Sequence, residues 1–136
     1  MAQNLNEMLQ EIVNRPYEQK VLGAKATLAE CFDIMNRKGV DQKQSAVLVI
    51  TFLAAAVAAD GKFSSPERKM LKEMFGDDLE AIVKSIDKKT LDLVDQFVDT
   101  FNAAEKSNFI LLAIYVMAVD DTINKDELTY LIKLMQ

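Results

Sequence analysis

Five carboxylates are placed so that they could act on a common ligand: Asp60, Glu67, Asp120, Asp121 and Glu127. They fall in two short segments of equivalent register. The first reads Ala58-Ala59-Asp60-Gly61-Lys62-Phe63-Ser64-Ser65-Pro66-Glu67. The second reads Ala118-Val119-Asp120-Asp121-Thr122-Ile123-Asn124-Lys125-Asp126-Glu127. In each, an apolar run gives way to an acidic turn, one apolar residue follows, and a Ser or Asn three residues before a glutamate opens a helix. Carboxylates gathered on one surface repel one another unless protonated, paired with a base such as Lys62 or Lys125, or neutralised by a hard divalent cation. Oxygen ligands favour Ca²⁺ or Mg²⁺ over zinc. In such a composite site Asp60 and Asp120 are the primary ligands, Glu67 and Glu127 supporting ligands or caps, and Asp121 an extra carboxylate.

Two other readings apply to the same residues. Ser64-x-x-Glu67 and Asn124-x-x-Glu127 both have the spacing of a capping box, in which the glutamate reaches back to the backbone at the helix start. Asp60-Gly61 is a natural tight turn. A calcium-binding EF-hand fits only the tail of the pattern. Asp60, Gly61, Phe63 and Glu67 would take loop positions 5, 6, 8 and 12, but positions 1 and 3 would be Ala56 and Ala58, or Val116 and Ala118, which carry no side-chain oxygen. The EF-hand is rejected; cap and composite site both stand.

Composition narrows the chemistry further. The chain has no His, which removes the commonest general base and metal ligand and excludes Ser-His-Asp and Cys-His sites. Its single cysteine, Cys31, lies on an apolar helical face with Ala24, Leu28 and Met35, and reads as a buried free thiol. A Mg²⁺-dependent hydrolase lacks support, because no phosphate-gripping glycine loop or Arg cluster accompanies the acids. Residues 1–45 carry six acids and six bases, so the net charge of −5 lies entirely in the repeated part. That balance disfavours nucleic acid and anionic membranes. The longest apolar stretch, Ala46 to Ala59, is too short to span a bilayer. The N-terminus has no basic region followed by an apolar run, so a cytoplasmic location is expected.

The elements that must position these residues read as helices throughout. Few Gly and Pro, no alternating apolar runs and many Leu, Met, Ala, Lys and Glu argue for an all-α chain. Apolar periodicity predicts helices over about 4–14, 17–37, 42–59, 65–75, 78–86, 88–101, 103–119 and 125–135. Arg15-Pro16 ends the first, Gly39 the second and Gly76 the fourth. Gly23, inside the second, costs about 1 kcal/mol relative to Ala, a cost that close helix packing would explain. Asp41-x-x-Gln44 and Asn102-x-x-Glu105 are further capping boxes. Asp92, Asp95 and Asp99 form a solvated acidic face.

The expected architecture is a single domain over 1–136, a bundle of seven to eight helices with an internal pseudo-two-fold repeat. The repeat halves cover about 42–75 and 103–135. The two long apolar helices lie side by side in the core, and the N-terminal pair, about 4–14 and 17–37, covers the outside. The stripe Leu5, Met8, Leu9, Ile12 and Val13 offers a surface for a protein partner or a homodimer.

On the motif Ala58-Ala59-Asp60-Gly61-Lys62-Phe63-Ser64-Ser65-Pro66-Glu67 and its second copy, the chain resembles the TerB-like family of tellurite-resistance-associated domains. The resemblance covers about residues 45–136, and Asp121 departs from it by standing where the first copy has glycine. It implies a small all-α cytoplasmic domain, bacterial or phage-borne, of two similar helical halves with an acidic surface suspected of binding metal. It further implies a non-enzymatic binding role in stress response or tellurite resistance.

Overall fold

The computed structural model describes residues 11–12, 14–57 and 63–119. These are 82% helical, and no strand occurs among them, so the described part of the chain is all-α. Six helices are resolved: α1 (Tyr17–Arg37), α2 (Gln42–Val57), α3 (Ser65–Phe75), α4 (Asp78–Ser85), α5 (Lys88–Val98) and α6 (Ala103–Ala118). Of the seven to eight expected, the helix over about 4–14 is described only at Glu11 and Ile12, which are helical, and at Asn14, which is in a turn. The helix over about 125–135 lies outside the described residues. Of the expected repeat halves, residues 58–62 of the first (about 42–75) and all those after Val119 of the second (about 103–135) lie outside the described residues, and the six described helices do not amount to a pseudo-repeat.

Local chemistry sets the boundaries. Pro16 has no N–H to lose and precedes the first turn of α1. Gly39, at φ +86°, closes α1 with paired bonds from Gly39 N–H to the Asn36 carbonyl and Val40 N–H to the Met35 carbonyl, both 3.0 Å. Asp41 caps α2 by accepting the Gln44 N–H at 2.7 Å. Asp87 accepts both the N–H and the hydroxyl of Thr90 at 2.8 Å to start α5. Asn102 and Glu105 form a reciprocal box on α6, with both bonds at 2.9 Å. The α5 helix stops at Val98 rather than near 101. There the N–H groups of Thr100 and Phe101 fold back on the Phe97 and Val98 carbonyls, which swings Phe101 into the core against Phe97 and Phe109.

The centre of the bundle is α6. From Phe109 to Ala118 every side chain but Leu111 is buried. Its most extensive partner is α1, which the sequence placed on the outside. The reason is a close approach: a Cβ on Gly23 would collide with the ring of Tyr115. The glycine is the hole into which the α6 knob fits, and its helix-propensity cost is offset by that packing. The two helices run antiparallel. Lys38, just past the end of α1, pairs with Glu105 in the first turn of α6 at 3.3 Å. At the other end Arg15 donates to the Tyr115 hydroxyl at 2.9 Å, and Lys20 to the Ala118 carbonyl at 2.8 Å.

The second apolar helix, α2, turns back along α1 after a four-residue connection, so it runs parallel to α6. The two long helices meet as expected, through an edge-to-face pair of Phe52 and Phe109 at 5.4 Å. Buried hydroxyls on α2 cost little, because Ser45 and Thr51 donate to the carbonyls four residues earlier at 2.7 Å. In turn α3 runs back alongside α1. Lys69 sits over the Tyr17 ring near the start of α1, and Phe75 meets Phe32 several turns on.

Candidate functional site

This topology fixes which helix ends share a neighbourhood. The start of α1, the C-terminal end of α2, the start of α3 and the C-terminal end of α6 all lie at one end of the bundle. The segments bearing Asp60 and Asp120 leave α2 and α6 from that same end. Asp60, Asp120, Asp121 and Glu127 themselves lie outside the described residues. Glu67 is the candidate ligand that is described. It is 3% exposed, its Oε1 accepts the Ser64 N–H at 2.8 Å, and its own N–H donates to Ser64 Oγ at 3.2 Å. The capping reading of Ser64-x-x-Glu67 is thus realised in full, with Pro66 in the first turn of α3. Phe63, the apolar residue after the first acidic turn, is buried beside it in sequence and pins the chain before the cap. Among the described residues no group of three or more His, Cys, Asp or Glu is arranged to hold a metal ion.

Lys20 is the residue at this end that sequence reasoning missed. It is 3% exposed, and it alone is buried among the described lysines and arginines. Its Nζ donates to the carbonyl of Ala118 in the last turn of α6, where backbone carbonyls lack helical partners and the dipole is negative. A signal was present: Lys20 stands three residues after Tyr17 and four before Ala24, so helical spacing puts it on the packed face.

A second feature lies towards the other end. Phe32, Val47, Met74, Phe75 and Ile82 line an open cleft of about 760 Å³ between α1, α2, α3 and α4, with Lys43 and Asp78 also lining it. Met74 and Phe75 are half-buried because they line this cleft. Elsewhere the chemistry is quiet. Cys31 is fully buried, and burial pushes its thiol up to about 12, with the Glu30 charge adding to the effect, so it holds no thiolate at neutral pH. Burial, helped by its hydrogen bond to Glu73, raises the Tyr17 phenol to about 12. No helix among the described residues is long and apolar enough to cross a membrane. Compared with protein-family models, curated proteins and solved structures, the chain matches none.

Proposed function

We propose that this chain is a non-enzymatic binding module of the TerB-like kind, cytoplasmic, serving a bacterial stress or tellurite-resistance assembly. Its working surface is the acidic end of the bundle. In this reading the seven to eight helices form a pseudo-two-fold repeat, and the turns carrying Asp60 and Asp120, with Asp121, Glu67 and Glu127, take a divalent cation (Ca²⁺ or Mg²⁺) or a basic partner surface. The observation that supports it is the parallel course of α2 and α6, which sends both acidic turns out from the same end. Hard oxygen donors delivered from one end suit a cation that takes six or more oxygens, waters included.

The test is a titration of the full chain with CaCl₂ and MgCl₂ followed by amide NMR and thermal melting. Ion binding raises the melting temperature by mass action and shifts amides flanking Asp60 and Asp120. The double substitution Asp60→Asn with Asp120→Asn should abolish that response and leave the helical circular dichroism unchanged. A chain whose amides and melting temperature do not move at millimolar metal defeats the ion reading.

The apolar cleft favours a second reading, an ion-free interaction scaffold or homodimer. Under that reading the same chain shows no ion response and self-associates in sedimentation, and deletion of residues 1–14 or a polar substitution at Val47 disperses it.

A further inference from the structure

The four methionines among the described residues fall into two classes. Met35, Met70 and Met117 are 2%, 0% and 0% exposed and belong to the core. Met74 is half-buried and lines the open cleft with Phe32, Val47, Phe75 and Ile82. Met70 and Met74 stand one turn apart on the same helix, α3, so what separates them is their surroundings. An oxidant must reach a thioether sulfur to attack it. At Met74 it enters through the cleft; at the other three it waits for a local opening of the bundle. The product differs in cost as well. A sulfoxide is polar, and its oxygen is expensive to bury among apolar neighbours. In the cleft, water and the side chains of Gln42 and Lys43 are donors for it.

We propose that Met74 is a modification site to which the fold directs oxidation by a hydroperoxide, and that its sulfoxide turns the cleft from an apolar surface into a polar one while the bundle stays folded. The sulfur attacks the terminal peroxide oxygen. An S–O bond forms, the O–O bond breaks, and the proton of the attacked oxygen passes to the departing one. Sulfur gives up two electrons, and the peroxide leaves as water or an alcohol. A methionine sulfoxide reductase restores the thioether, so the change is reversible. No carboxylate of the acidic end takes part, and the inference stands independently of any ion bound there.

The experiment treats the full chain with hydrogen peroxide under native conditions and follows each methionine by peptide mass mapping. Methyl NMR and circular dichroism are recorded on the product. Met74 should gain one oxygen at least about tenfold faster than Met35, Met70 and Met117, because those three require an opening step. The methyl signals of Val47 and Ile82 should then shift, those of Leu112 should stay, and the helical signal should persist. Reductase treatment should return the shifted signals. Met74→Leu, close in volume, should abolish the shifts at Val47 and Ile82. Any shift due to Met1, Met8 or Met135, which lie outside the described residues, remains in that variant. A Met74 that oxidises no faster than the three core methionines overturns the inference. Methyl signals that stay still once Met74 is a sulfoxide, or that move equally in Met74→Leu, overturn the change of the cleft. Loss of the helical signal when Met74 alone is oxidised overturns the survival of the bundle. The rate comparison uses the unsubstituted chain and decides alone should Met74→Leu not fold.

Discussion

The two long apolar helices, α2 and α6, have sixteen residues each and nearly the same hydrophobic composition, yet they live in different surroundings. The α6 helix is enclosed on almost every side, by α1 above all. The α2 helix divides its contacts among α1, α4, α5 and α6 and leaves Val47 and Ala46 facing an open cleft. The difference comes from the neighbours. Gly23 lets α1 approach α6 closely, whereas Phe32, Met74 and Phe75 line an open cleft beside the first turns of α2. An all-apolar helix must be buried, but its composition does not say by what.

The sharpest test of this contrast is a pair of truncations. Leu112→Ala removes a fully buried side chain from α6 and leaves a closed cavity, at an expected cost of about 2–5 kcal/mol. Val47→Ala removes two methyl groups from a half-buried position on the cleft, where water fills the space, at less than about 1 kcal/mol. Urea unfolding of both variants measures the difference. Equal losses would mean that the cleft is closed in solution.

How far this arrangement was legible depends on the range of the forces involved. Capping boxes at Ser64/Glu67 and Asn102/Glu105, the stop at Gly39 and the spans of α1, α3 and α6 were readable, because a cap is decided by residues three positions apart. The rank of α1 as chief partner of α6 was not, since it turns on Gly23 meeting Tyr115 from ninety-two residues away. At the candidate site, the role of Glu67 as a cap followed from its spacing, while Lys20 was passed over as one more charge on a long helix. Its burial depends on the carbonyl end of a helix that sequence proximity does not reveal. The remaining carboxylates, Asp60, Asp120, Asp121 and Glu127, lie outside the described residues.

The contact between Gly23 and Tyr115 can be loaded directly. Gly23→Ala gains about 1 kcal/mol of helix propensity. It also drives a methyl group into a buried ring whose hydroxyl is held by Arg15, and such overpacking costs about 1–3 kcal/mol. The net expectation is a destabilisation of about 1 kcal/mol, seen in urea unfolding and accompanied by a change in the near-ultraviolet tyrosine signal. A stabilised Gly23→Ala protein would show that Tyr115 yields its place freely and that the tight α1–α6 seam does not explain the glycine.

The smallest expected effect concerns the start of α6. Glu105 is held below the usual carboxylate range, first by the N–H it accepts from Asn102 and then by Lys38. A carboxylate depressed in the folded state contributes stability that is fully present above its unfolded value, about 4.3, and is lost as pH falls through the lower folded value. The chain should therefore lose a small increment of stability between about pH 4.3 and the depressed value, and part of that loss belongs to Glu105. Glu105→Gln keeps an oxygen to accept the Asn102 N–H but has no proton to take up, so it should flatten that part of the acid limb. Its melting temperature above pH 6 should fall only slightly, through loss of the charge pair with Lys38. If the acid limbs of the two proteins superimpose, the cap at Glu105 is formed equally well by a neutral carboxyl group, and the pairing of Lys38 with α6 contributes nothing to the stability of the α1–α6 core.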